Sequence, residues 1–173
     1  MGRLQLVLPD ETYRQAVLDY KEEFLAEGSS LQGTAGLADA PSFEEWLAAI
    51  HRNSREETVA PGLVPATTFL AVRKSDGLLV GMLDLRHRLN DYLLAFGGHI
   101  GYSVRPFQRR QGYAVEMLGL GLSQARRLGL SQVLITCDKE NTASAHTILH
   151  YNATLENEVP DEGRITQRYW VTL

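Results

Sequence analysis

Apolar positions along this chain fall into short extended runs and amphipathic helices separated by turn residues. Residues 4–8 form an apolar strand punctuated by Pro9 and Asp10, and Asp10 can cap a helix. That helix is expected to run to about residue 26. Tyr13, Ala16, Val17, Tyr20 and Phe24 line one face, and Gly28 stops it. Residues 28–41, rich in Gly, Ser and Ala, read as a loop whose length suits either a flap over a ligand or a mobile segment. The capping box Ser42-Phe43-Glu44-Glu45 opens a second helix to about residue 52, apolar at Phe43, Trp46, Leu47 and Ile50. A polar loop follows over 53–65. Two strands, 67–73 and 78–86, are joined by the turn Lys74-Ser75-Asp76-Gly77.

Residues 87–96 fit either a loop or a short helix, and 97–104 form a strand that Pro106 stops. A helix begins past Gly112, with Val115, Leu118, Leu122 and Ala125 at helical spacing and Gly129 at its end. Gly119 and Gly121 inside it predict either unusually close packing on the sheet or a local irregularity. Residues 131–138 are nearly continuously apolar, as in a strand buried on both faces. A short helix over 141–151 and two strands, 153–159 and 164–172, around the turn 161–163 complete the chain. There is no repeat, low-complexity segment or linker. The order βααβββαβαββ predicts one mixed α/β (α+β) domain spanning 1–173.

Composition narrows the class of function. The 173 residues are 44% apolar and 22% charged, as in an ordinary globular protein with a real core. A net charge of −4 argues against bulk binding to nucleic acid, so the cluster Arg105, Arg109, Arg110 reads as a local anion site. No apolar run approaches the roughly 20 residues of a membrane span. The N-terminal stretch lacks the pattern of a signal peptide, and the lone Cys137 excludes an internal disulfide. The expected location is the cytoplasm, with neither membrane nor nucleic acid as partner.

The stretch GGHIGYSVRPFQRRQGYA, residues 97–114, concentrates the candidate chemistry. A strand feeds a basic, glycine-bearing turn at a helix start. Free N–H groups and the positive end of the helix dipole there favour a phosphate. Gly112 lets the backbone approach the anion, and Ala114 keeps the helix start thin.

Strand, Val104-x-Pro106, Arg109-x-x-Gly112-x-Ala114 and an amphipathic helix together resemble the acetyl-CoA motif of the GNAT superfamily of N-acetyltransferases. The later strand ending in LITCDKEN, with Asn141 in the turn, matches the family order. The likeness covers nearly the whole chain and is strongest over 67–159. LRHRLNDYLL, GGHIGYSVRP and LITCDKENTAS resemble an uncharacterised bacterial branch.

The resemblance implies a central mixed, mostly antiparallel sheet flanked by helices, and acetyl-CoA as cosubstrate without a metal. It implies that Tyr102, Ser103 and Val104 offer backbone groups to the pantetheine arm and the acetyl carbonyl. It implies a pyrophosphate cradle of Arg110, Gln111, Gly112, Tyr113, Ala114 and Val115, with Arg109 fixing the loop, and a pantetheine contact from Asn141 assisted by Ser144. Arg110 stands where relatives often carry glycine and adds a phosphate donor. Many relatives place a general-acid tyrosine seven residues after the asparagine. Ile148 occupies that position here, and Tyr151, three residues on, is the candidate substitute.

For the general base the residues point to His99, which titrates near neutrality and shares a strand face with Gly101 and Ser103. The alternative is a structural, hydrogen-bonded histidine. His87, Asn90 and Asp91 form either a substrate-ammonium site or a solvated turn. His146 and His150 sit four apart on a helix, but no third metal ligand accompanies them. Cys137, in an apolar strand, reads as a small core residue.

The expected function is direct acetyl transfer to a primary amine on a small molecule, peptide or protein. The alternative is a non-catalytic acyl-CoA sensor. A dinucleotide oxidoreductase would need the three-glycine G-x-G-x-x-G loop, which is absent. The terminal strands leave a homodimer open.

Overall fold

The computed structural model describes residues 2–173. Four antiparallel strands come first in space: β1 (Leu4–Val7), β2 (Ala66–Arg73), β3 (Leu79–Arg86) and β4 (Ile100–Val104), in the order β1-β2-β3-β4. A second antiparallel sheet holds β5 (Gln132–Asp138), β6 (Thr154–Asp161) and β7 (Arg164–Thr172), in the order β5-β7-β6. Four α-helices cover them: α1 (Arg14–Glu27), α2 (Phe43–Arg52), α3 (Tyr113–Arg127) and α4 (Thr142–Leu149). No helix among the described residues is long and apolar enough to cross a membrane.

Two apolar clusters sandwich the first sheet. Tyr20 and Phe24 of α1, with Trp46 and Ile50 of α2, pack on Leu70, Val72, Leu79 and Met82. On the opposite face, Met117, Leu118 and Leu122 of α3 and Ile148 of α4 pack on Phe69, Leu83 and Ile100. That second cluster continues into Val133, Ile135 and Tyr169, so it welds the two sheets together. Every β3 residue except Arg86 is buried, because helices cover both of its faces.

Two features of α3 answer the glycine question raised by the sequence. A Cβ at Gly121 would stand 2.6 Å from the Leu83 side chain, so the glycine lets α3 close on β3. Gly119 leaves the notch that receives the Tyr151 hydroxyl, which donates to the Val115 carbonyl.

Several expected boundaries shift. Residues 91–97 are helical, with a π-type turn over Leu93–Gly97, so β4 starts at Ile100 and not at 97. The N–H of Gly98 closes that turn on the Leu93 carbonyl at 2.6 Å, which removes it from any ladder. A short 3-10 turn, Glu11–Tyr13, precedes α1, with Asp10 accepting from the Thr12 N–H at 2.9 Å. β6 runs two residues past the expected end at 159, through Pro160 to Asp161, an edge strand where a missing N–H does no harm.

The loop 28–41 is pinned. Trp46 Nε1 donates to the Thr34 carbonyl at 2.8 Å, and Gly33 lies against the backbone of Gly101 and Tyr102. The loop therefore roofs β4 on the α1 side.

Candidate active site

β4 and β5 meet at one point and then part. The His99 N–H donates to the Leu134 carbonyl at 2.7 Å, and the Leu134 N–H donates back to His99 Nδ1 at 2.9 Å. Beyond this fork neither strand pairs with the other. A cleft of about 380 Å³ opens there, with Tyr102, Thr136, Cys137, Asp138, Asn141 and Ser144 among its walls. The Arg86 N–H bonds the His99 carbonyl, and the Arg105 N–H bonds the Val80 carbonyl. By alternation from those two bonds, the backbone of Tyr102 and Val104 points away from β3 and towards the cleft. The backbone of Ser103 faces β3. Its hydroxyl meets Tyr20 on α1 at 2.8 Å, turned from the cleft.

The expected anion site lies at the far end of β4. Arg109 is extended, Arg110 has φ 61° and Gly112 has φ 81°, and α3 starts immediately after. No side chain caps α3, so the N–H groups of its first turn are open. Arg109 donates to the Val104 carbonyl at 3.1 Å, pairs with Glu27 at 3.1 Å and lies over the Phe24 ring. It ties the loop to α1 and β4. Gln111 is exposed beside Gln108. Ala114 and Val115 are half-buried in the first turn. Tyr113 is buried, its ring under Arg3 and its hydroxyl accepting from Arg73 at 3.2 Å. Arg3 is paired with Glu116 at 3.1 Å and Arg73 with Asp76 at 2.6 Å, which leaves Arg110 and the open N–H groups of the first turn as the features that suit a pyrophosphate.

Asn141 caps α4, its Oδ1 accepting from the Ser144 N–H at 3.1 Å. Ser144 Oγ and Tyr102 Oη lie 2.8 Å apart on the cleft wall. Burial pushes the Tyr102 phenol up to about 12 and the Cys137 thiol up to about 11, so both stay protonated at neutral pH.

The two residues put forward for catalysis are held elsewhere. His99 is buried, and its Nδ1 is committed to the Leu134 N–H. Burial, with the Arg86 charge behind it, pushes its pKa down to about 4. A neutral imidazole of that basicity is a weak proton acceptor, and its geometry is that of a strand latch. Tyr151 points at α3 rather than into the cleft, with its hydroxyl on Val115. Ile148, in the position of the usual tyrosine, is fully buried in the core.

The latch makes stability depend on pH. The ring titrates near its ordinary 6.5 once unfolded but near 4 when folded. Its contribution is therefore complete above about pH 6.5 and is lost as the pH falls towards 4, a window worth roughly 2–3 kcal/mol. Urea unfolding of the wild type at pH 7.5 and 4.5 should show that loss. In His99→Asn, whose side-chain oxygen can accept the Leu134 N–H without titrating, the loss should shrink by at least half. An undiminished loss would assign the pH dependence to other groups.

A second cavity, about 510 Å³, lies on the α1–α2 side of β2 and β3. Asp84 is at its floor, buried, accepting from Thr68 Oγ1 at 3.0 Å and paired with Arg86 Nε at 3.0 Å. Burial raises the Asp84 carboxyl above the usual carboxylate range, and Arg86 pulls the other way. Of the expected ammonium group, only Asn90 lines this cavity. Its Oδ1 accepts from the Leu93 N–H at 2.9 Å. His87 is bonded to Thr67 at 2.7 Å, with burial lowering its pKa, and Asp91 is exposed at the start of the helical turn. Asp84 escaped the sequence reading. The signal for it was one carboxylate inside the otherwise apolar run LVGMLDL. Arg86, Tyr92 and Leu93 line both cavities and so form the boundary between them.

The comparisons fit this geometry. The family model described as "Acetyltransferase (GNAT) domain" matches residues 9–153. No curated protein sequence matches the chain. Among solved structures, a Vibrio cholerae protein assigned as a ribosomal-protein-serine acetyltransferase is 21% identical, with a TM-score of 0.69. That match covers 100% of this chain and 95% of the other. The ribosomal-protein alpha-N-acetyltransferase RimL, solved with coenzyme A, is 19% identical with a TM-score of 0.71 over 100% and 96% of the two chains. A chimera of the Vibrio cholerae spermidine N-acetyltransferase SpeG and hSSAT is 14% identical with a TM-score of 0.69 over 99% and 96%. These likenesses show a shared fold, and the family model spans more than half of the sequence. The chain belongs to the GNAT family of acetyltransferases.

Proposed function

We propose that this acyltransferase moves an acetyl group from acetyl-CoA to a primary amine by direct attack in a ternary complex. The observation that supports it most is that Arg86, Tyr92 and Leu93 border two cavities. One lies where β4 parts from β5, and the other holds a buried carboxyl. RimL, a structural relative, was solved with coenzyme A, which supports the cofactor.

The residues fit that cosubstrate. Backbone N–H groups from Arg110 to Val115 receive the pyrophosphate, with the Arg110 guanidinium as an added donor. The outward backbone of Tyr102 and Val104 aligns the pantetheine arm and stabilises charge that builds on the acetyl oxygen. The Asn141 amide donates to the same arm. Acetyl-CoA supplies an activated thioester. Asp84, directly or through one water, takes the proton of the attacking ammonium. The N–C bond forms as the C–S bond breaks. The Ser144 hydroxyl, bonded to Tyr102, relays the second nitrogen proton, released as the amide forms, to the departing thiolate and ends neutral. We assign the proton acceptor to Asp84 in preference to His99, and the donor to Ser144 in preference to Tyr151. The reaction is placed in a bacterial cytoplasm.

Calorimetry with acetyl-CoA and thiol release over a panel of amines test this reading. Micromolar binding and amine-dependent thiol release are expected. Binding without release across the panel would establish a sensor, and no binding would remove the reading altogether.

A further inference from the structure

The larger cavity has a chemical character of its own. Its walls are apolar at Ile50, Leu63, Val64 and Leu93, with room for a branched or aromatic side chain. Among its lining residues only Asp84 and Arg86 are charged, and they are paired with each other. A polyamine carries several cations and needs a carboxylate for each, so this lining does not fit one.

Arg86 is only partly used. Its Nε serves Asp84, and one terminal nitrogen reaches the carbonyls of Gly97 and Gly98 at 3.3 and 3.4 Å. The other, Nη2, has no protein partner among the described residues, and no buried polar atom is left unpaired, so Nη2 stays accessible. It lies beside Gly101 on the cleft wall, and Arg86 itself lines both cavities. A guanidinium edge of this kind is built to read a carboxylate.

Resting on the acetyl-transfer reading above, we propose that the acceptor is a free α-amino acid with a bulky apolar side chain. The side chain fills the cavity, and the carboxylate binds Arg86 Nη2. The amino group sits between Asp84 and the cleft. A zwitterion thereby meets a zwitterionic pair, ammonium towards Asp84 and carboxylate towards Arg86. The α-nitrogen bonds the acetyl carbon while the thioester C–S bond breaks. Asp84 receives one proton of the ammonium and the second passes through the Ser144 hydroxyl to the thiolate, giving an N-acetylamino acid and coenzyme A.

The test follows thiol release with L-phenylalanine and L-leucine, and with phenethylamine and isopentylamine, which lack only the carboxylate. Spermidine and a peptide starting with phenylalanine complete the set. The amino acids should exceed their matching amines in kcat/KM by roughly a hundredfold or more, because a site made to bind a polar group rejects the analogue without it. In Arg86→Gln that ratio should collapse to a few-fold, and Arg86→Lys should restore part of it, with coenzyme A affinity confirming that both variants are folded. Equal turnover of acid and amine, or preference for spermidine or the peptide, overturns the assignment. L-phenylalanine is also titrated into the protein by calorimetry without acetyl-CoA. Its binding with no transfer would keep the ligand and sink the transferase reading. Transfer to other amines with no binding of L-phenylalanine would do the reverse.

Discussion

Asp84→Asn should lower kcat about a hundredfold or more, while affinity for coenzyme A stays within a few-fold. The argument starts from burial. Asp84 sits in an apolar strand under two helices, so desolvation holds its carboxyl above the usual range despite the Arg86 partner. A carboxyl raised in this way is a better proton acceptor, and a positioned base typically contributes 10²–10⁴-fold. The base works only when deprotonated. The wild-type rate should therefore fall as the pH drops through the Asp84 pKa, at a pH above that of an ordinary carboxylate. The residual rate of Asp84→Asn should lack that limb. His99→Asn should keep it, because the imidazole is already neutral above about pH 4. If Asp84→Asn retains the wild-type profile, or His99→Asn alone abolishes the limb, the assignment of the base is wrong. Asn leaves Arg86 without its counter-charge, so thermal unfolding must accompany the kinetics.

Gly112→Val should weaken coenzyme A binding by about a hundredfold or more, for two separable reasons. Gly112 has φ 81°, a conformation in which a β-branched residue is strained by roughly 1–3 kcal/mol. Relaxing that strain reorients the first N–H groups of α3, to which the proposed mode assigns the pyrophosphate. In the protein itself a Cβ here would meet only Arg3, at 3.5 Å, so loss of affinity would come from the loop and the ligand, not from the core. Arg110 provides the contrast. It also has positive φ, 61°, in a place where glycine is at ease. Arg110→Gly should keep the loop geometry, bind coenzyme A within about tenfold of wild type through loss of one phosphate donor, and leave stability unchanged or higher by about 1 kcal/mol. Calorimetry on the two variants checks both statements. Wild-type affinity in Gly112→Val would refute the pyrophosphate assignment.

The two halves of residues 97–114 differed in how much their sequence revealed. The loop from Arg109 to Val115 is local. A strand end, a positive-φ glycine and an uncapped helix start are encoded within a few residues, and so is the cluster of open N–H groups they create. The role of His99 is not local. It is set by Leu134, 35 positions away, through bonds at the point where two sheets part. Strand alternation put His99 on the face of Gly101 and Ser103 but did not reveal that its nitrogen is taken by the Leu134 N–H. Asp84 was hidden for a related reason. Periodicity reads a charged residue in an apolar strand as an interruption, and only the loop over 28–41 and the helices show that it floors a cavity.

The sequence alone determined the order of elements, the uncapped start of α3 after a positive-φ glycine, and the family, because each rests on spacing within a short stretch of chain. Tertiary structure decided which residues line the two cavities. Where β4 and β5 diverge, which cleft wall receives Ser144, and how Asp84 and Arg86 are paired under apolar helices depend on packing between distant segments. Desolvation then separates groups that look alike in sequence. Burial against Arg86 leaves one imidazole neutral as a latch, and burial on the neighbouring strand leaves one carboxyl basic enough to accept a proton.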